Sequence, residues 1–370
     1  MVTIVMTGAT GFLGSRLLRA LLTDGTTAVT VLGRDGNQQP LAARLESALR
    51  DCGVTPDELR RARDRLTAVP VDLTQPCLGL KPSEHERLAE QADAVLHCAS
   101  AISLTGTADT LAPVNVAGTR HLTELADHAP ARAPFLYIST AYVAGAAPHS
   151  TNPPADEIIT GYEQTKQQAE AVVQEWAGRR QRTALVLRPS LLATNRPGTA
   201  AQQPLSVLGA GLRDLVELAP PLLRRALLRK RAGVPRVRLR LVGDSASRLN
   251  VVPVEYAVDA ILRLARLPHE PGVTAYHVVH PVDTSASVLV AAVNEILPGV
   301  DLVLQSSVDR PNPIEQQVNP MLASFLGRNW RNWADECIPL HDVLPDLPAP
   351  AAIDSTYIRA AMNVSSLTRG

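Results

Sequence analysis

In the first half of the chain, short apolar runs of strand length alternate with segments whose apolar residues recur at helical spacing. Val2–Met6 is a short apolar run, and the positions from Phe12 to Leu22 are apolar at the three- and four-residue spacing of a helix. The same alternation continues to about residue 190. Further strands are predicted at 28–32, 67–71, 94–100, 135–139 and 184–187. Strands that alternate with helices predict an α/β fold with a Rossmann-type doubly wound parallel sheet.

The alternation breaks after residue 190. Residues 190–240 hold a Pro-Pro pair and basic helical stretches, and the pattern of residues 285–370 is mostly helical. Val251–Val254 and the apolar run at 276–279 return to the core. The predicted division is a nucleotide-binding Rossmann core of residues 1–189 plus 241–284, and a smaller, mostly helical C-terminal substrate-binding lobe of residues 190–240 plus 285–370.

A glycine-rich turn joins the first strand to the first helix. Thr7–Gly14 has the sequence Thr-Gly-Ala-Thr-Gly-Phe-Leu-Gly. Gly8 permits a tight turn, Gly11 lets the backbone approach a pyrophosphate, and Gly14 lets the helix pack closely on the strand. The N–H groups at the start of the helix then face the phosphates. Strand, turn and helix in this order predict a dinucleotide site, the alternative being a βα turn without a ligand.

The end of the second strand indicates which dinucleotide binds. Arg34 lies about twenty residues after the last glycine, where an acidic residue would hold the ribose 2′-hydroxyl of NAD and an arginine would suit the 2′-phosphate of NADP. The arginine comes first here, and Asp35 follows it. A guanidinium pairs well with phosphate, so we predict NADPH. The alternative for Arg34 is an ordinary surface arginine.

A tyrosine and a lysine with i, i+4 spacing provide candidate catalytic groups. Tyr162 and Lys166 share one face of a predicted helix, and Thr140 ends the strand before it. A charged Lys166 would lower the pKa of the Tyr162 phenol, which would donate to a substrate oxygen as hydride arrives at the carbon. Thr140, or alternatively Ser139, would donate a second hydrogen bond to that oxygen. The structural alternative is a core tyrosine, a surface lysine and a strand-capping threonine.

Composition narrows the functional classes. The chain of 370 residues has 36 basic and 36 acidic residues, so net charge does not indicate a general polyanion-binding protein. Its four cysteines are scattered without metal-ligand spacing, so we predict reduced thiols and no metal. We see no secretory leader and no apolar run long enough to span a membrane, so we expect a cytoplasmic protein. His97 has no companion ligands, which favours a structural role.

Positive charge is nevertheless concentrated in one segment. Residues 213–240 hold nine basic residues against two acidic ones, and Leu222, Leu223 and Ala226–Leu228 could form the apolar face of a basic helix. Our preferred hypothesis is that this segment flanks the substrate entrance and meets an anionic thioester carrier. Alternatives are a solvated face with its leucines in the core, or peripheral membrane contact. Nucleic-acid binding is not expected, because aromatic residues for stacking are only 3% of the chain.

The motifs together resemble a known family. They are similar to the extended short-chain dehydrogenase/reductases, and within them to the thioester reductase branch. This branch includes the reductase domains of carboxylic acid reductases and nonribosomal peptide synthetases, and the fatty acyl-CoA reductases. The motifs that carry the resemblance are Thr7–Gly14, Val31–Arg34, Ala43–Leu45, Val71–Leu73, Leu78–Leu80, Asn115–Thr119, Ile138–Tyr142, Arg188-Pro189 and Val252–Val254. The resemblance implies NADPH-dependent reduction of an acyl thioester to an aldehyde, with onward reduction to an alcohol left open.

The resemblance also implies site residues. Besides the catalytic Thr140, Tyr162 and Lys166, the residues implied to bind the cofactor are Gly8, Thr10, Gly11, Phe12, Leu13, Gly14, Arg34, Arg44, Asp72, Leu73, Cys98, Ala99, Ser100, Asn115, Tyr162, Lys166 and Pro189. Arg44 would join Arg34 on the 2′-phosphate, and Asp72-Leu73 would lie beside the adenine, the alternative for Asp72 being a cap. Cys98 departs from the family, which usually has asparagine there.

Two other functions remain open at this stage. With the same fold, the chain could be a dehydrogenase, ketoreductase or epimerase acting on a sterol-like, β-keto or sugar-nucleotide substrate. A non-catalytic NADP-sensing regulator is the third reading, and the Tyr162–Lys166 pair argues against it. We expect the chain to be freestanding, without an adenylation or carrier domain before it, so that the acyl group would arrive on coenzyme A or a separate carrier protein. The acyl group and the oligomeric state are left open.

Overall fold

The computed structural model describes residues 1–103, 106–143, 160–196, 203–229, 236–243, 246–316, 319 and 339–364. The strands are β1 Val2–Thr7, β2 Thr27–Gly33, β3 Leu66–Pro70, β4 Ala94–His97, β5 Phe135–Ile138, β6 Thr183–Pro189, β7 Leu191–Ala193, β8 Val237–Val242, β9 Arg248–Leu249, β10 Val251–Pro253, β11 Gly272–Val278, β12 Thr284–Ser285 and β13 Val300–Gln305.

The helices alternate with these strands in the first half of the chain. They are α1 Phe12–Thr23, α2 Leu41–Asp51, α3 Pro56–Ala62, α4 Pro82–Glu90, α5 Ala108–Ala112, α6 Gly118–Asp127, α7 Gly161–Arg180, α8 Pro204–Leu218, α9 Pro221–Leu228, α10 Val254–Leu264, α11 Ala286–Ile296, α12 Leu340–Val343 and α13 Ser355–Ala361. A π-helical turn over Pro113–Ala117 joins α5 to α6.

The chain divides into two compact units, and the first contains a seven-stranded parallel sheet. This unit comprises Met1–Ser190, Val254–Val278 and Ile338–Pro348. Its strand order is β11-β6-β5-β4-β1-β2-β3, which confirms the predicted Rossmann-type sheet. Apolar residues of the strands, such as Val5, Val95 and Phe135, are fully buried, as expected for a parallel sheet with both faces covered.

The strand order reverses between β1 and β4. Chain connections from β1 lead outward to β2 and β3 on one side, while β4, β5 and β6 follow on the other. A crevice therefore opens at the carboxyl ends of β1 and β4, the place where open α/β sheets bind ligands. The predicted glycine turn begins at this position, directly after Thr7.

The second unit comprises Leu191–Pro253, Val279–Cys337 and Ala349–Gly370. Its described part has three short strand pairs: β7 with β10 and β8 with β13 are parallel, and β9 with β12 is antiparallel. Helices α8, α9, α11 and α13 contribute apolar side chains to its core, together with the strands β8 and β13. The β8–β13 ladder is a feature that the predominantly helical pattern of residues 285–370 did not predict.

The boundary between the units differs from the predicted one. Residues 241–253 and 279–284 belong to the second unit, and Ile338–Pro348 belongs to the first. The reason is strand pairing: β10 pairs with β7, and β12 pairs with β9, within the second unit. A short apolar run such as Val251–Val254 identifies a strand but does not reveal its partner.

A buried ion pair removes one arginine from the expected basic surface. Arg240 donates to both carboxylate oxygens of Glu315, with its Nη2 lying 2.7 Å from Oε2 and its Nε 2.9 Å from Oε1. Glu315 is 1% exposed. The hydrogen bonds from Arg240 outweigh burial and hold the pKa of Glu315 at about 2. Arg240 therefore has a structural role in the second unit and is not available as a docking charge.

Replacing Glu315 by glutamine should lower the free energy of unfolding by on the order of 3 kcal/mol at neutral pH, because the amide cannot accept the charge-assisted hydrogen bonds. Since the native pKa lies below its ordinary value, this contribution is present above about pH 5 and is lost as the pH falls toward about 2. Urea unfolding of parent and variant across this range measures the difference. A difference that stays constant from neutral to acidic pH would contradict the assignment.

Candidate active site

The glycine turn packs tightly against the end of β4. Gly8 has φ +75°, and a Cβ placed on it would lie 2.5 Å from the backbone nitrogen of Ala99. A Cβ on Gly14 would lie 2.0 Å from the carbonyl oxygen of Gly8. The N–H of Gly11 donates to that same carbonyl at 3.0 Å. Glycine is therefore required at Gly8 for both conformation and space, and at Gly14 for space.

The first turn of α1 is suited to bind a phosphate. Among the described residues, no side chain caps the helix at Gly11, and its first turn contains no acidic residue. The N–H groups of Phe12, Leu13 and Gly14 thus lie at the positive end of the helix dipole, and no acidic side chain of the first turn neutralises them. The Phe12 ring is covered by the Arg16 guanidinium at 4.0 Å, while Leu13 is buried in the core. These observations fit the pyrophosphate of a dinucleotide.

Two arginines meet at the end of β2. Arg44 donates to the backbone carbonyl of Arg34 at 2.6 Å, and its other terminal nitrogen lies 3.5 Å from the hydroxyl of Thr10 in the glycine turn. The Arg34 side chain is exposed. Asp35, which follows Arg34, accepts a hydrogen bond from the N–H of Leu41 at 2.7 Å. Its carboxylate therefore stabilises the start of α2. The Arg44 guanidinium therefore lies between the end of β2 and the glycine turn.

The Asp72-Leu73 turn is built by local hydrogen bonds. Asp72 accepts from the backbone and hydroxyl of Thr74 at 2.9 and 2.7 Å, which lowers the pKa of its carboxyl. The Asp72 side chain is thus a turn cap, the alternative left open by the sequence. His121 donates to the Leu73 carbonyl at 2.8 Å, and the Asp72 N–H donates to the carbonyl of the fully buried Leu78. These contacts fix the backbone of the turn.

Asn115 organises the loop that follows β4. Its amide nitrogen donates to Thr165 Oγ1 at 2.9 Å and to the Ala101 carbonyl at 3.0 Å. Its amide oxygen accepts from the Ala101 N–H and from the Ser100 hydroxyl. Asn115 is 2% exposed, so both ends of the amide are used inside the protein. The residue links the loop after β4 to α7, which is a structural role.

Lys166 is buried against the end of β5. Its Nζ donates to the Ile138 carbonyl at 2.6 Å and to the Tyr137 hydroxyl at 3.2 Å. Burial lowers the pKa of the ammonium to about 8, while the neighbouring Cys98 and Glu170 act in the opposite direction. Lys166 therefore lies inside the protein and is not the surface lysine that the structural alternative required.

Tyr162 lies one turn before Lys166 on α7 and is half-buried. Burial raises the pKa of its phenol, and a hydrogen bond with Ser100 acts against this shift. The direction is opposite to the lowering that we expected from Lys166, because burial outweighs the interaction that favours the charged phenolate. A phenol with a raised pKa stays protonated at neutral pH and can donate its proton.

Thr140 and Ser139 follow β5 directly, and both are buried. The hydroxyl of Thr140 accepts the N–H of Tyr142 at 3.3 Å, while the hydroxyl of Ser139 has no hydrogen-bond partner in the described part of the chain. Backbone hydrogen bonds fix this segment, since Ala141 donates to the Pro189 carbonyl at 2.9 Å. Pro189 and the candidate hydroxyls thus lie at the same edge of the sheet. The choice of Thr140 over Ser139 stays a prediction.

A polar layer that the sequence did not predict crosses the sheet beside Lys166. Thr7, His97 and Tyr137 are register neighbours on β1, β4 and β5. His97 bonds to Thr7 Oγ1 at 2.7 Å and to Thr119 Oγ1 at 3.0 Å, and the Tyr137 hydroxyl accepts from Lys166 at 3.2 Å. Burial lowers the pKa of His97 to about 3, so the imidazole is neutral. The available signal was a polar residue near the end of each of three adjacent strands.

The described ranges contain no group of three or more His, Cys, Asp or Glu side chains arranged to hold a metal ion. Their helices are all too short or too polar to cross a lipid bilayer. The cysteine beside the glycine turn, Cys98, is half-buried, and burial raises the pKa of its thiol to about 11.

The sequence matches a known family of NAD-binding proteins. The family described as Male sterility protein matches residues 6–261, more than half of the chain. Isonitrile lipopeptide synthase of Streptomyces coeruleorubidus is 34% identical over 48% of the chain, and L-2-aminoadipate reductase large subunit of Penicillium chrysogenum is 30% identical over 75%. Fatty acyl-CoA reductase 1 of Pongo abelii is 34% identical over 38% of the chain. The chain spans only 12%, 19% and 28% of these proteins' lengths.

Solved structures share the fold. The terminal R domain of the myxalamid PKS-NRPS pathway has a TM-score of 0.71 and 24% identity, with 99% of this chain and 90% of that chain covered. A thiolation-reductase di-domain from an archaeal non-ribosomal peptide synthetase has a TM-score of 0.69 and 16% identity, with 99% and 75% covered. At these identities the likeness establishes the fold alone.

Proposed function

The chain belongs to the Male sterility protein family of NAD-binding proteins, and we propose that it is an NADPH-dependent oxidoreductase that reduces an acyl thioester to an aldehyde. The observation that carries the proposal is the placement of Tyr162 and Lys166 one turn apart on α7, with the Lys166 ammonium bonded to the end of β5 at 2.6 Å. Two relatives are named as reductases, one of aminoadipate and one of fatty acyl-CoA, which supports this chemistry.

The residues of the first unit supply the contacts that NADPH needs. The N–H groups at the start of α1 would hold the pyrophosphate. Arg34 and Arg44 would hold the 2′-phosphate, because Asp35 is already engaged by α2. The backbone of Asp72 and Leu73 would flank the adenine. The family resemblance implies that the rest of the cofactor is lined by Thr10, Cys98, Ala99, Ser100, Asn115 and Pro189. NADPH, when bound, supplies the hydride.

The protein's own groups act on the thioester oxygen. As hydride adds to the carbonyl carbon, Tyr162 donates a hydrogen bond to the developing oxyanion, and Thr140 donates a second one. The C–S bond of the resulting hemithioacetal then breaks. The carbon leaves as an aldehyde when the oxyanion re-forms the carbonyl, and the expelled thiolate takes up one proton from solvent to leave as a thiol. A thiol is a good leaving group, so no covalent enzyme intermediate is required.

Removing the phenolic hydroxyl tests this role. Tyr162→Phe should lower kcat by about two orders of magnitude and leave NADPH binding intact. The variant loses the phenolic donor to the substrate oxygen but keeps the fold. Steady-state kinetics with an acyl thioester and a fluorescence titration with NADPH measure the two effects. Tyr276→Phe, which removes a half-buried hydroxyl from β11, is the matched control. Undiminished turnover in Tyr162→Phe would overturn the assignment.

Cofactor choice is tested at the end of β2. Arg34→Ala should raise the KM for NADPH about ten- to a hundredfold and leave the KM for NADH nearly unchanged, because only NADPH has the 2′-phosphate that the guanidinium would bind. Arg50→Ala, on an exposed arginine paired with Glu46 on α2, is the control for loss of one positive charge. Equal affinity of the parent protein for NADPH and NADH would contradict the role of Arg34.

We infer that the exposed basic face of α9 receives the carrier of the thioester. Leu227 is buried and Leu223 and Leu228 pack on the core of the second unit, which leaves Arg224, Arg225 and Arg229 exposed. The apolar face is narrower than predicted, since Leu222 is 82% exposed. Exposed leucine beside arginine suits an acidic carrier protein that has an apolar patch of its own. Of the other basic residues of the segment, Arg240 is paired with Glu315, and Lys230 and Arg231 lie outside the described residues.

Charge reversal on this face separates docking from a structural role. The combined variant Arg224→Glu, Arg225→Glu and Arg229→Glu should raise the KM for a carrier-bound thioester about tenfold or more at low salt, and less at high salt. An uncharged pantetheine thioester should react as before. Reversal of the exposed Arg60, Arg61 and Arg63 in the first unit is the control for net charge. A change that is equal for both substrates, or absent for both, would disprove docking at α9.

A further inference from the structure

We propose that a left-handed turn at Cys77–Gly79 is a positioning element for the adenine of the cofactor, because it fixes the backbone of Asp72 and Leu73. The inference rests on the proposed function in so far as this backbone flanks the adenine. It gives a role to the Leu78–Leu80 motif, which the proposed reaction leaves unexplained.

Three consecutive residues of the turn adopt a backbone conformation that L-amino acids rarely take. Cys77 has φ 50° and ψ 24°, Leu78 has φ 59° and ψ 21°, and Gly79 has φ 75°. At a residue with a side chain, this conformation brings Cβ close to the following carbonyl oxygen, so it normally occurs at single positions. In the described part of the chain, three other non-glycine residues have a positive φ, each of them alone: Gln181, Arg310 and Asn363. Contacts elsewhere must therefore hold the turn against its local preference.

Burial of Leu78 is the first of these contacts. Its side chain is 0% exposed and belongs to the apolar core of the first unit, together with Val71, Leu73 and Leu88. Leu80 packs against the same core. A right-handed backbone at Leu78 would turn this side chain away from its neighbours and lose the burial of a whole leucine. The core thus stabilises the left-handed conformation.

Backbone hydrogen bonds connect the turn to the residues that would flank the adenine. The N–H of Asp72 donates to the Leu78 carbonyl at 3.0 Å. The Leu78 N–H donates to the Gln75 carbonyl at 3.0 Å, and the Gln75 N–H donates to the Asp72 carbonyl at 3.1 Å. The segment from Asp72 to Leu78 is thus closed by three backbone bonds. Because the backbone angles at Leu78 set the direction of its carbonyl, they also set the position of Asp72.

Helix α6 holds the same backbone from another side. Nδ1 of His121 donates to the Leu73 carbonyl at 2.8 Å. A Cβ on Gly118 would lie 3.2 Å from the Cβ of Leu73, so a larger residue would crowd it. The peptide between Asp72 and Leu73 is therefore fixed by the turn and by α6 before any ligand binds. Such preorganisation raises affinity, because this backbone does not have to be ordered on binding.

Two exposed glycines with nearly the same φ provide a matched test. The angle is 75° at Gly79 and 77° at Gly25. Both positions have room for a Cβ, since the nearest atom at Gly79 is the Cβ of Gln75 at 3.9 Å, and no atom of the described residues lies within 4 Å at Gly25. Gly25 lies between α1 and β2, at the amino edge of the parallel sheet and opposite the candidate site.

Gly79→Ala should weaken the binding of ADP several-fold, because alanine disfavours this φ and the turn is less often in the conformation that binds. Gly25→Ala should lower the melting temperature by a similar amount and leave ADP binding unchanged. Isothermal titration calorimetry with ADP and thermal unfolding of each variant measure the two effects. Neither measurement requires turnover.

A valine at Cys77 is the stronger probe, since a β-branched residue is strongly disfavoured at positive φ. Cys77→Val should weaken the binding of both ADP and NADPH about tenfold. Cys77→Gly adopts this φ without strain and should bind both about as tightly as the parent protein. Gln181→Val places the same strain, at φ 51°, at the C-terminal end of α7 and should leave binding unchanged. If Cys77→Val does not fold, the two glycine variants carry the test.

The outcomes separate this inference from the proposed function, because ADP has the adenine but neither the nicotinamide nor the 2′-phosphate. Unchanged ADP binding in the two turn variants, equal weakening in the two controls, or no ADP binding by the parent protein would overturn the positioning role, even if thioester reduction is confirmed. Weaker ADP binding in the turn variants alone, in a protein that reduces no thioester, would support the positioning role and disprove the proposed function instead.

Discussion

A buried ammonium bonded to the end of a strand is the contact on which the candidate site depends. Lys166 donates to the Ile138 carbonyl at 2.6 Å and so ties α7 to β5. Removing a charge from water costs several kcal/mol unless it is paired or hydrogen-bonded. Here two acceptors on β5 and the nearby Glu170 offset that cost. Because Tyr162 lies one turn earlier on the same helix, this contact also places the phenol.

The parallel sheet brings the other elements of the candidate site to the same edge as Lys166. All strands of the first unit run in the same direction, so their carboxyl ends meet at one edge. Gly8 brings the turn after β1 against the end of β4, and Asn115 ties the loop after β4 to Thr165 on α7. The glycine turn, Tyr162 and Lys166 thus lie in one structural unit, as the proposed hydride transfer to a carbonyl requires.

The sequence predicts features that are local, and it misses those that depend on pairing between distant segments. The strands, the glycine turn and the Tyr162–Lys166 face follow from spacing alone. The polar layer does not, because Thr7, His97 and Tyr137 become neighbours only through strand register. For the same reason, the strand that pairs with β8 was missed, and Arg240 was counted as a surface charge although it pairs with Glu315, 75 residues away.

The central claim is that hydride is delivered to a thioester carbon and that the thiol leaves. The most direct measurement uses NADPH deuterated at the transferred position and an acyl thioester, with the released thiol and the labelled product quantified together. If the thioester is reduced to the aldehyde, one thiol should be released for each NADPH oxidised to NADP⁺, and the aldehyde carbon should carry one deuterium. Oxidation of NADPH without release of thiol, or deuterium on a carbon elsewhere in the acyl chain, would contradict this claim.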